Sequence, residues 1–138
     1  MLQLLFLIDL FVFAYNLIMK EISIVIPLLN EAENINDLHK EIMGVCDKNG
    51  YRYEIIFIDD GSTDNTKEVI KNISPLKYIR FRKNFGQTAA MDAGIKSAKY
   101  NYIITMDGDG QNDPNDIPSE TRHNCSIPRG IACLCNPK

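Results

Sequence analysis

The chain has 138 residues, 45% of them hydrophobic and 24% charged, with a net charge of −3. That is room for one domain with a core of its own, so folding requires no disulfide or metal staple. The composition excludes collagen-like, disordered and polytopic membrane chains, and an acidic balance argues against nucleic acid as a partner.

Residues 1–18 contain fifteen apolar residues, interrupted by Gln3, Asp9 and Asn16. As a helix they would span about 27 Å, short of a hydrocarbon core of roughly 30 Å, with Asp9 near the centre. No basic residue precedes the run and no small-residue cleavage site is clear, which counts against a secretory signal. Three readings stay open: an extension upstream of a natural start at Met19, a marginal membrane segment, or a signal peptide.

Ile22–Leu29 is an apolar, β-branched run and reads as a buried strand. Asn30-Glu31 then opens a helix predicted from Ala32 to Lys48, with Ile35, Leu38, Ile42 and Val45 spaced three or four apart. Cys46 on that helix packs as a small hydrophobe, and His39 is assigned to its surface. Asn49-Gly50 ends the helix and Tyr53–Ile58 forms a second strand. The polar turn 59–64 (Asp-Asp-Gly-Ser-Thr-Asp) leads into a short helix over Asn65–Ile73, which Pro75 stops. Lys77–Phe81 is a third strand. Gln87–Ala98 is a small-residue helix whose Ala90, Gly94 and Ala98 suit close approach to a sheet. Tyr102–Met106 is a fourth strand, leading into Asp107-Gly108-Asp109.

From Ser119 onward neither helical nor strand periodicity is present. Cys125, Cys133 and Cys135 lie there with His123, but their spacing lacks the C-x₂₋₄-C pairs of zinc sites. Residues 119–138 therefore read as an unstructured tail, with His123 on the surface. The cysteines give no argument for an oxidising compartment.

Strands alternating with helices imply right-handed crossovers and a mainly parallel sheet with helices on both faces. Such sheets bind ligands beyond the carboxyl ends of their strands. Those ends carry Asn30-Glu31, Asp59-Asp60, Arg82-Lys83-Asn84 and Asp107-Gly108-Asp109. Asp107 and Asp109 can serve one hard cation, Mg²⁺ or Mn²⁺, shared with substrate phosphates, and Gln111 could add a carbonyl oxygen. Taken alone, such an acid-glycine-acid run also suits a solvated loop, and Asp59-Asp60 also suits a helix-capping turn. A carboxylate at 59 or 60 can accept hydrogen bonds from a base N–H or ribose hydroxyls. Neither a P-loop nor a dinucleotide fingerprint occurs, so a diphosphate would depend on the metal and on Arg82 and Lys83.

Four segments occur in order: Ile-Val-Ile-Pro-Leu-Leu-Asn-Glu (24–31), Ile-Asp-Asp-Gly-Ser-Thr-Asp (58–64), Arg-Lys-Asn-Phe-Gly-Gln-Thr-Ala-Ala-Met-Asp-Ala-Gly (82–94) and Met-Asp-Gly-Asp-Gly-Gln-Asn-Asp-Pro (106–114). Together they resemble the donor half of a family 2 glycosyltransferase with the GT-A fold. The subgroup they look most like is the bacterial polyprenyl-phosphate glycosyltransferases related to dolichol-phosphate mannose synthase. The resemblance covers about Lys20 to Pro118. It implies a UDP- or GDP-linked sugar donor, a polyprenyl phosphate acceptor, and a cytoplasmic enzyme at the inner face of the membrane. Pro27, Asn30 and Glu31 would line the nucleotide pocket, and Asp60, with Asp59, would meet the base. Gln87 would lie near the diphosphate or sugar. Asp107 and Gly108 would face the ribose or sugar, and Asp109 the metal, with Gln111 as a further ligand. The implied reaction is a metal-assisted displacement that inverts the sugar carbon.

The family pattern breaks after Pro118, where acceptor-side residues would follow. The expectation is a GT-A domain incomplete on its C-terminal side. Two functional classes follow: a glycosyltransferase, or a truncated remnant that binds nucleotide-sugar and metal without catalysis. A GT-A-like nucleotidyltransferase would need a glycine-rich basic loop after the first strand, which Pro27–Glu31 does not offer. A phosphoacceptor receiver domain would need its strands in another order.

Overall fold

The computed structural model describes residues 20–118 and the strand at 132–135. In chain order the elements are β1 (Glu21–Leu28), α1 (Ile35–Lys48), β2 (Arg52–Asp59), α2 (Thr66–Ile70), β3 (Lys77–Arg80), α3 (Gln87–Ser97), β4 (Tyr102–Thr105) and β5 (Ala132–Cys135), with a 3₁₀ turn at Pro114–Asp116. They build one five-stranded sheet in the order β3-β2-β1-β4-β5. β1 pairs in parallel with β2 and β4, and β2 with β3, while β5 runs antiparallel to β4.

The strict two-residue alternation of a strand explains how both faces are filled. Ile22, Ile24, Ile26 and Leu28 of β1 share one face with Phe57 and Ile104, and α1 covers it with Ile35, Leu38, Ile42 and Cys46. Val25, Ile56, Ile58 and Ile103 point to the other face, beneath Ala90 and Ala98 of the α3 region. A strand buried on both sides has no polar face, which is why β1 reads as a continuous apolar run. The α3 helix lies close enough that a Cβ at Gly94 would fall 2.6 Å from Ile58 Cδ1 and would also overlap Val25.

The chain leaves β1 toward β2 and β3, then returns to place β4 on the other side of β1. That reversal opens a crevice beyond the carboxyl ends of β1 and β4, the usual ligand position in open α/β sheets.

Three expectations are corrected. The first helix starts at Ile35, not Ala32, because Asn30 adopts a left-handed backbone (φ 57°) and residues 31–34 form a turn. His39 is not on the surface: it is 3% exposed, its Nε2–H donates to the Pro75 carbonyl at 2.9 Å, and its ring meets Phe57 edge-on. Part of the expected unstructured tail, residues 132–135, forms β5, whose ladder with β4 supplies the order that its side-chain pattern did not advertise.

Among the described residues no helix is long and apolar enough to cross a membrane. The readings of residues 1–18, and the zinc reading at His123 and Cys125, lie outside the described residues. Cys46 is a buried free thiol, as its helical position implied.

Candidate functional site at the carboxyl edge of the sheet

A cavity of about 340 Å³ lies at the crevice. Pro27, Leu28, Leu29 and Glu31 line it from the end of β1, and Asp60 from the end of β2. Asn84, Gly86 and Gln87 enter from the loop before α3, and Asp107, Gly108 and Asp109 from the end of β4. Four of these side chains are carboxylates and none is basic. Such a wall suits hydrogen-bond donors and cations, and repels a bare polyphosphate.

Asp59 and Asp60 are adjacent but face opposite ways, as successive strand residues must. Asp59 lies fully buried on the α1 side. Its Oδ1 accepts the Ser62 N–H at 2.7 Å, and its Oδ2 accepts the Tyr78 hydroxyl at 2.7 Å and the Arg80 Nε at 3.1 Å. Burial pushes this carboxyl up, but the hydrogen bonds from Ser62 and Tyr78 and the Arg80 charge outweigh it and hold the group below its ordinary range. Asp59 therefore anchors the scaffold and is absent from the cavity wall. Asp60 is on the α3 side, 3% exposed, and reaches the cavity. It accepts the Phe85 N–H at 2.7 Å and the Gly86 N–H at 2.9 Å.

Asn30 also serves the scaffold. Its N–H donates to Ser62 Oγ at 2.9 Å, and its Oδ1 accepts the Thr63 and Asp64 N–H groups at 2.9 and 3.3 Å. The side chain thereby straps the turn after β1 to the turn after β2. Its neighbour Glu31 is left on the cavity wall.

At the end of β4, Gln87 Nε2 donates to Asp107 Oδ1 at 2.8 Å. Asp109 Oδ1 accepts the Gln111 N–H at 3.0 Å, which tightens the turn. Gly108 is buried between these two acids, and a Cβ there would stand 3.1 Å from the Pro27 carbonyl oxygen and overlap Leu28. Gln111 itself is exposed and is not part of the wall. No group of three or more His, Cys, Asp or Glu side chains converges as a ready-made metal cage among the described residues. The donor set is instead two carboxylates on one turn. That fits a hard cation completed by water and ligand phosphates, the usual arrangement for Mg²⁺.

Of the sequence-derived candidates, then, Pro27, Glu31, Asp60, Gln87, Asp107, Gly108 and Asp109 meet in one cavity, whereas Asn30, Asp59 and Gln111 do not line it. Arg82 and Lys83, expected to help hold a diphosphate, are absent from the wall, and the Lys83 ammonium sits 5.2 Å over the Phe85 ring. Asn84, from the polar cluster expected at this edge, lines the cavity, while sequence reasoning missed Leu28, Leu29 and Gly86 as lining residues. All three fall inside the quoted segments, so their position in those segments was the available signal.

A family model described as Glycosyl transferase family 2 matches residues 23–138, a span that runs past Pro118 into the segment set apart by its pattern. A dodecaprenyl-phosphate galacturonate synthase from Rhizobium johnstonii is 44% identical over 104 residues, covering 72% of this chain and 31% of that protein. An undecaprenyl-phosphate 4-deoxy-4-formamido-L-arabinose transferase from Edwardsiella ictaluri is 36% identical over 102 residues, or 70% of this chain and 31% of the relative. This chain thus spans about 31% of the length of both relatives. Among solved structures, a mannosyltransferase from Pyrobaculum calidifontis in complex with GDP-Man and Mn²⁺ superposes with a TM-score of 0.60 at 16% identity, over 73% of this chain and 31% of its own. The glucosyl-3-phosphoglycerate synthase of Mycobacterium tuberculosis, solved with Mn²⁺, UDP and glucosyl-3-phosphoglycerate, gives 0.63 at 23% identity, over 79% and 40%. Identities this low establish the fold alone, which is that of GT-A glycosyltransferases. With the family model matched over most of its length, the chain belongs to glycosyl transferase family 2.

Proposed function

We propose that the acidic cavity is the donor site of a polyprenyl-phosphate glycosyltransferase, binding a UDP- or GDP-linked sugar together with Mg²⁺ or Mn²⁺. The observation that carries this reading is the meeting of Asp107 and Asp109 with Glu31 and Asp60 on one wall that has no basic side chain. A nucleoside diphosphate can enter such a wall only with its charge offset, so the acids and a divalent cation make one consistent set. The printed names of the two relatives support the acceptor class, and the Mn²⁺ complexes of the two solved structures support the metal.

Asp107 and Asp109 would hold the cation in this reading. When bound, the cation neutralises negative charge developing on the departing diphosphate. The protein's own groups orient the donor. Asp60 and Glu31 accept from base or ribose donors, Pro27 to Leu29 supply an apolar wall, and Gln87 holds the Asp107 carboxylate in place. The acceptor phosphate oxygen bonds to the anomeric carbon opposite the leaving nucleoside diphosphate, inverting that centre. A lipid phosphate is already anionic and needs little help from a base. A lipid acceptor is consistent with action close to a membrane, in this reading its inner, cytoplasmic face.

In this reading every cavity group serves the donor side, and a second reading stands beside it: donor and metal binding without transfer by this chain. Titration with UDP and GDP, with and without Mn²⁺, tests the donor site. Incubation with nucleotide-sugar and polyprenyl phosphate then separates the two readings. Glycolipid product establishes transfer, metal-dependent binding without product supports the second reading, and absence of nucleotide binding overturns both.

A further inference from the structure

Two independent features dock the loop between β3 and α3 onto the end of β2. The first is the Asp60 carboxylate, which accepts the Phe85 N–H on Oδ1 and the Gly86 N–H on Oδ2. The second is Gly61, at φ 80°, whose Cβ, if present, would stand 2.5 Å from the Lys83 carbonyl carbon and 2.7 Å from the Asn84 nitrogen. The backbone from 83 to 86 therefore rests on residues 60 and 61. That loop brings Asn84 and Gly86 to the cavity and leads directly into Gln87, the donor to Asp107. A carboxylate that binds two consecutive N–H groups through separate oxygens fixes direction as well as distance.

We propose that Asp60, seated beside Gly61, is a positioning residue that fixes the β3–α3 loop as one wall of the cavity. Its loss reaches a bound nucleotide through the displaced loop, and not only through a missing contact to the base. The effect on the ligand rests on the donor-site reading above; the effect on the loop does not.

The test uses the full chain, labelled with ¹⁵N, as Asp60→Ala, Asp60→Asn and Gly61→Ala. Amide hydrogen exchange at Phe85 and Gly86 is compared with that of core amides such as Ile24 and Ile56, and affinity is measured for UDP and GDP with Mn²⁺. Exchange at Phe85 is expected to rise about tenfold or more in Asp60→Ala and Gly61→Ala, and by less at Gly86, whose N–H is shared with Asn84 Oδ1 at 2.9 Å, while the core stays protected. Asp60→Asn, which keeps one acceptor oxygen, is expected to fall between. Nucleotide affinity is expected to drop in Gly61→Ala, although Gly61 has no side chain to lose. Unchanged loop protection in the variants overturns the proposal. So does a loosened loop with wild-type affinity in Gly61→Ala beside lost affinity in Asp60→Ala, which would mark Asp60 as a base contact alone. If Gly61→Ala fails to fold, the two Asp60 variants decide through loop exchange. If the wild-type chain binds neither nucleotide, the donor-site reading fails and the exchange data alone decide the loop.

Discussion

The Tyr78 hydroxyl donates to Asp59 Oδ2 at 2.7 Å, tying β3 to the last residue of β2. Arg80 and Ser62 converge on the same carboxylate. Asp59→Ala strands three donors at once, so a loss of about 2–3 kcal/mol is expected, softened because Arg80 is partly exposed. Urea unfolding at neutral pH measures it as a lowered midpoint with an unchanged slope.

The same group sets a pH dependence. The folded-state pKa of Asp59 lies below its ordinary value, so the ionised carboxylate is favoured by folding. Its contribution is full above the unfolded pKa of about 3.9 and is lost as pH falls through the lower folded value. The stability gap between wild type and Asp59→Asn should therefore narrow below about pH 4. A gap that stays constant into that range would mean that charge is not what the scaffold uses here.

Asp107→Ala and Asp109→Ala should each weaken Mn²⁺-dependent binding of UDP or GDP by at least about tenfold, while leaving the unfolding midpoint near wild type, because both acids stand on a surface turn. Calorimetric titration with and without a chelator gives the direct reading. Wild-type affinity in both variants would remove the metal from this turn.

Gly94→Ala tests the seat of α3 on the sheet. The added methyl meets Val25 and Ile58, both fully buried, so overpacking should cost about 1–3 kcal/mol. The readout is again the urea midpoint.

Cys46 should be chemically silent in the native protein. Burial, and secondarily the Asp47 charge, push its thiol up to about 12, leaving almost no thiolate at neutral pH. Alkylation followed by peptide mapping should leave the Cys46 peptide unmodified until denaturant is added.

Much of the donor-side fold was legible because each signal was local. β1 and β2 are apolar, β-branched runs, and α1 repeats Ile35, Leu38, Ile42 and Val45 at helical spacing. His39 reads as a surface residue by its polarity, although the same repeat places it inward, four residues after Ile35 and three before Ile42. A polar residue on an apolar face reads as an exposed one, and its partner, the Pro75 carbonyl, is 36 residues away in sequence. Strand alternation likewise separates Asp59, in phase with Phe57, from Asp60, in phase with Ile58, and so could have told anchor from cavity residue. β5 was not legible at all. Its four residues have no period of their own and gain order from pairing with β4, a contact that no local pattern encodes.

Asn30 meets two demands that no other uncharged residue meets together. Its backbone sits at φ 57°, where glycine is comfortable and most side chains are strained. Its carboxamide oxygen must also reach the Thr63 and Asp64 amides. Glycine would satisfy the dihedral and forfeit the strap, while serine or glutamine would bring an oxygen to a backbone that resists them. Aspartate tolerates the dihedral and brings the oxygen, but adds a negative charge next to Glu31 in sequence and beside Asp64 across the strap. The position is thus a filter with an opening about one residue wide, and homologues that replace Asn30 should be found to have rebuilt the turn after β2 as well.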